Sequence, residues 1–149
     1  LSMTKRYKRE HSNKKGSIFH WTRKLSLVGE QEQIESLFEK GLSAYQNGHY
    51  FDAHEAWEEM WSDFYLVDRD LIQGLIQLSV SFVHLSNNNL IGAKSLLKKC
   101  QKKFDKFNGL CRGIDITSLK NSLKNIEVEY QKLESNQSFH WDIVPSLEK

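Results

Sequence analysis

The sequence predicts an all-α fold: a compact bundle of about five helices. Three observations carry this expectation. Apolar residues recur at three- and four-residue steps in five separate runs. The runs are parted by short turn signals: Asn47-Gly48, Asn87-Asn88-Asn89 and a glycine loop from Gly109 to Asp115. The 149 residues hold only one proline, Pro145, so no run is interrupted.

Taken in order, the first helix starts at Glu30 and carries Ile34, Leu37, Phe38, Gly41, Leu42 and Tyr45 on one face. Asn47-Gly48 ends it, since both residues tolerate the left-handed position after a helix. The second, Tyr50 to Tyr65, gathers Tyr50, Ala53, Trp57, Met60, Trp61 and Phe64 on its inner face. His54 and Glu58 sit on the edge of that face, one turn apart, while Asp52, Glu55, Glu59 and Asp63 turn away.

The third helix, Asp68 to Ser86, is apolar nearly all round. Leu71, Leu75, Leu78, Phe82 and Leu85 line one face, and Ile72, Ile76 and Val83 widen it. What remains is a stripe of Gln73, Gln77 and His84. A solvent face normally carries Lys or Glu, so this stripe is expected to be covered or to line a groove. The charge-free run from Leu71 to Ala93 includes glutamines, serines, His84 and three asparagines, so it reads as a central bundle helix and not as a membrane span.

The fourth helix, Leu90 to Phe107, turns Leu90, Ala93, Leu97, Cys100, Phe104 and Phe107 inward and Lys94, Lys98, Lys99, Lys102, Lys103 and Lys106 outward. The fifth carries a regular stripe of Ile116, Leu119, Leu123, Ile126, Tyr130 and Leu133. No strand pattern competes. The expected organisation is a basic, flexible arm over residues 1–29, a bundle over 30–134 and a tail over 135–149.

The net charge of +2 conceals an uneven distribution. Residues 1–29 hold eight Lys/Arg and one acid, leaving 13 basic and 18 acidic residues for the rest. An arm with Lys5, Arg6, Lys8, Arg9, Lys14, Lys15, Arg23 and Lys24 suits nucleic-acid phosphates or an organelle-import segment. Phe-His-Trp occurs at 19–21 and again at 139–141; the repetition is read as coincidence, though both copies could dock on the body. Two cysteines, Cys100 and Cys111, make neither a metal pair nor a disulfide framework, and a reducing cytoplasmic setting is the expectation. Cys100 lies on an apolar stripe. Cys111, beside Arg112, has the surroundings of a more reactive thiol.

Two resemblances stand on named residues. Gly41, Ala44, Gly48, Tyr50, Ala53 and Trp57 have the spacing of small and aromatic positions in a tetratricopeptide hairpin, without a second copy of the repeat. The series Gly48, Tyr50-Phe51, Ala53-His54-Glu55, Trp57-Glu58, Trp61, Arg69, Gln73-Gly74-Leu75-Ile76-Gln77, His84, Gly92-Ala93 and Leu96-Leu97 resembles the family known as domain of unknown function 309 (DUF309), over about Phe38 to Asp115. That resemblance implies a compact all-α bundle and no established activity, although some members carry the label of predicted metal-dependent hydrolase. Where the family often has an Arg-Gly-Asn turn, this chain has Asn87-Asn88-Asn89.

The candidate site is His54, Glu55, Glu58, Arg69, Gln73, Gln77 and His84, with Trp57 and Trp61 as a wall. Three readings fit those residue types. The first is a self-satisfied Arg–Glu–His–Gln network that fixes helix register. The second is a pocket or groove for a peptide, a protein or a small molecule. The third is a divalent metal held by His54, Glu58 and His84, two imidazoles and a carboxylate. The chain lacks His-Glu-x-x-His and the paired Glu-x-x-His of di-iron bundles, which weighs against the metal. A non-enzymatic binding or scaffold module without cofactor is therefore the leading expectation, ahead of a metal-dependent hydrolase and a nucleic-acid-associated protein acting through the arm. The central and fifth helices each offer a surface for a homodimer.

Overall fold

A computed structural model describes residues 27–134 and 138–147. Most of the arm expected over residues 1–29, and the first Phe-His-Trp, lie outside the described residues. The chain forms α1 (Leu27–Gln46), α2 (Tyr50–Asp63), α3 (Arg69–Ser86), α4 (Leu90–Phe104) and α5 (Ile116–Lys132). A 3-10 turn, Trp141–Ile143, follows in the tail. The all-α expectation holds, with α1 beginning three residues earlier than its periodicity indicated. α4 ends three residues earlier than expected, where Asp105 and Phe107 turn back onto the last carbonyls of the helix.

Successive helices run antiparallel, and ring contacts give the register. Tyr45 meets Tyr50 at 5.3 Å across the α1–α2 turn, and Phe38 meets Trp57 at 6.3 Å further along. Tyr50 meets Phe82 at 5.0 Å at one end of the α2–α3 pair, and Arg69 lies 4.1 Å over the Trp61 ring at the other. Gly48 closes the first pair at φ +77°, a conformation that costs glycine nothing. Asn88 does the same for α3–α4 at φ +60°. Asn89 then caps α4, its Oδ1 accepting the Gly92 N–H at 3.0 Å.

The glycine loop is more ordered than its composition suggested. Leu110–Cys111 (β1) pairs antiparallel with Ile114–Asp115 (β2). Arg112 and Gly113 between them have φ of +50° and +78°, the requirement of a tight two-residue hairpin. Two-residue strands are too short to leave an alternating pattern, so periodicity could not reveal them. Arg112 binds both oxygens of Asp68, Nε to Oδ2 at 2.5 Å and Nη2 to Oδ1 at 3.0 Å, which ties the hairpin to the start of α3. Asp115 ends the hairpin and caps α5 by accepting from Ser118 N–H at 3.0 Å.

The core runs through all five helices. Phe38, Trp57, Met60, Ile72, Leu75, Leu78, Phe82, Cys100, Phe104, Leu123 and Ile126 are all essentially inaccessible. Phe139 and Leu147 of the tail are buried too. No described helix is long and apolar enough to cross a membrane.

Candidate functional site

The wall of the site is built where α1 and α2 approach most closely. A Cβ on Gly41 would stand 2.3 Å from Trp57 Nε1, so glycine is what lets the indole lie flat against the α1 backbone. The indole N–H then reaches the Phe38 carbonyl at 3.2 Å. Trp57 is thus an internal strut with no accessible surface and cannot line a pocket. Trp61, one turn on, is half-buried under the Arg69 guanidinium.

Arg69 does not reach toward carboxylates. Its Nη1 donates to the carbonyls of Trp61 at 3.1 Å and Phe64 at 3.5 Å. It therefore closes the C-terminal end of α2, where carbonyls have no helical partner and a cation is favoured.

His54 and Glu58, expected at the edge of the core face, are buried at 4% and 1% exposure. On α3, Gln77 is buried and Gln73 half-buried. Interpolating between the Tyr50–Phe82 and Trp61–Arg69 contacts sets His54 and Glu58 along the level of about Gln73 to Gln77. Glu55 is exposed on the far side of α2. Among the described residues, both ring nitrogens of His54 and the Oε1 of Gln77 are buried without a hydrogen-bond partner. Burial lowers the His54 pKa below its usual value, and the Phe51 carbonyl pulls it the other way. His54 is therefore a neutral imidazole at pH 7, tilted against the Phe51 ring at 5.5 Å.

Residues 38–96 match the family model described as Domain of unknown function (DUF309). Over this span the chain is similar to DUF309. The match covers the second half of α1, all of α2 and α3 and the first turns of α4, a shorter stretch than the sequence series suggested. No curated protein matches the chain.

Within the DUF309 span, His84 stands apart from the other polar residues. The Asn89 amide donates to its Nδ1 at 3.2 Å while the Asn89 Oδ1 caps α4. Burial again lowers its pKa. The imidazole thus braces the α3–α4 turn. Among the described residues, no three His, Cys, Asp or Glu side chains form a group able to hold a metal ion, so His54, Glu58 and His84 do not assemble as the expected ligand set. An open groove of about 590 Å³ lies between α1 and the end of α2, lined by Glu32, Ser36, Leu37, Glu59, Asp63 and Phe64 among others, and none of the expected site residues borders it.

Sequence reasoning missed a second polar cluster. Ser81 on α3 donates to the Ala93 carbonyl at 2.7 Å and lies 3.0 Å from Tyr130 Oη on α5. It joins three helices at a fully buried point. Tyr45 Oη, also buried, has no hydrogen-bond partner among the described residues. The cluster left no pattern because a lone serine in an apolar helix looks like any small core residue.

Proposed function

We propose that the chain is a non-enzymatic helical binding module whose recognition element is the α2–α3 seam around His54 and Gln77. One observation carries the reading: His54 and Gln77 are more than nine-tenths buried, with both imidazole nitrogens and the Gln77 Oε1 lacking a partner among the described residues. Each unpaired buried polar atom costs about 1–3 kcal/mol, so an apolar residue would serve the fold better at either position. These groups make sense where another molecule completes them. A neutral imidazole offers one donor and one acceptor, and Gln77 Oε1 adds an acceptor. A peptide or a small carboxamide has the complementary N–H and C=O groups.

The test compares wild type with His54→Leu and Gln77→Leu in a thermal-shift screen of short peptides and carboxamide fragments. The binding reading expects free protein of equal or greater stability in both variants. It also expects compounds that stabilise wild type and lose that effect in the variants. Variants that melt well below wild type, with no compound that distinguishes them, would mean the seam is purely structural.

A further inference from the structure

The tail crosses the open ends of α2, α3 and α5, and all three residues of Phe139-His140-Trp141 are received there. Phe139 is buried at 5% exposure, 5.6 Å from the Tyr130 ring. His140 Nδ1 lies 3.1 Å from Glu129 Oε1. Trp141 stacks on Tyr50 at 6.0 Å and 16°, and meets Phe82 edge-on at 6.1 Å and 60°. Tyr50, Phe82, Glu129 and Tyr130 thus form a cradle that reads aromatic, histidine, aromatic in order.

The occupant is held in a way that permits exchange. Among the described residues, the backbone hydrogen bonds of the tail are local, Ile143 to His140 and Val144 to Trp141. Only side chains fasten it to the bundle, and Trp141 keeps 39% of its surface exposed.

The sequence contains the same tripeptide once more, Phe19-His20-Trp21, with every group the cradle recognises. We propose that the cradle is a binding site for Phe-His-Trp peptides, and that its second occupant is Phe19-His20-Trp21 of another copy of this chain. Reach decides for another copy. From Leu27 to Tyr45, beside the cradle, α1 rises roughly 27 Å at about 1.5 Å per residue. The six residues from Trp21 to Leu27 span at most about 21 Å when fully extended. A chain could fill its own cradle from its own arm only with those six residues drawn fully taut and the Trp21 side chain closing the remaining gap, whereas a neighbouring copy meets no such limit. Two copies that exchange arms form a closed pair; serial exchange forms an open chain.

The experiment titrates a fluorescent synthetic peptide of residues 16–24 into the full chain and into Phe139→Ala/Trp141→Ala. A tethered tail competes at an effective concentration in the millimolar range, so removing its aromatics is expected to tighten peptide binding at least ~10-fold. Adding Tyr50→Leu, or replacing His20 and Trp21 by Ala in the peptide, is expected to abolish the gain. Should the double variant not fold by circular dichroism, Trp141→Ala alone, at a half-exposed position, is read in the same way. A tail variant that binds the peptide no more tightly than wild type, or binding indifferent to Tyr50→Leu, overturns the proposal.

Discussion

Replacing Trp57 by alanine tests the central joint of the structure. The indole has no exposed surface, packs 6.3 Å from Phe38 and 6.2 Å from Tyr45, and donates to the Phe38 carbonyl. Burying about 200 Å² of aromatic surface at about 25 cal/mol per Å² is worth about 5 kcal/mol. Measured truncations of such residues cost about 3–5 kcal/mol, which includes the cavity left behind. With total stability of about 5–15 kcal/mol, that is a large fraction. In urea, at a slope of about 2 kcal/mol per M, the midpoint is expected to fall by about 1.5–2.5 M with the slope unchanged.

A companion substitution reports on geometry and not only on loss of surface. In wild type, Gly41→Ala drives a methyl into the indole, so overpacking of about 1–3 kcal/mol outweighs the gain of about 1 kcal/mol from alanine's helix propensity. In the Trp57→Ala background the obstacle is gone, and the same Gly41→Ala is expected to stabilise. A midpoint shift under about 0.5 M for Trp57→Ala, or an effect of Gly41→Ala with the same sign in both backgrounds, refutes the packing described.

The other predictions concern charge, pH and thiols. Because burial lowers the His54 pKa, the unfolded chain binds its proton first as pH falls. Stability is therefore expected to be full above about pH 6.5 and to drop below it, and His54→Leu should flatten that slope in urea titrations at successive pH values. Arg112→Ala removes a two-point, partly buried bond to Asp68, with an expected loss of about 1–2 kcal/mol and faster amide exchange in the β1–β2 hairpin; unaltered exchange there would dissociate the hairpin from α3. Burial raises the Cys100 thiol pKa far above its usual value, whereas Cys111 is partly accessible. A thiol reagent should accordingly modify one cysteine per native chain, with Cys111→Ser abolishing the fast phase; two equally fast thiols would contradict the burial of Cys100.

Much of this protein was legible before any coordinates. Five helices, their turns and most of their inner faces follow from the spacing of residues such as Ile34, Trp57, Leu75 and Leu123, because a 3.6-residue period writes burial directly into local sequence. The tetratricopeptide-like spacing placed Gly41 and Trp57 among its small and aromatic positions, and the structure brings the two together. It also separated Glu55 from His54 and Glu58 around α2. The β1–β2 hairpin escaped because two-residue strands have no period to detect.

The candidate site was half legible. Which polar residues matter could be guessed from their positions on apolar helices, but not what each one meets. Arg69 turns to carbonyls at the end of its own hairpin, His84 to Asn89, and Ser81 to Tyr130, 49 residues away. The tail's hold on Tyr50 and Phe82 is equally invisible to any window of sequence. By itself the sequence determined the elements and the sides they bury, since those depend on neighbours one turn apart. Only the tertiary structure decided which polar groups pair, which stay unpaired and which surface the tail occupies, since those contacts depend on how separate helices are brought side by side.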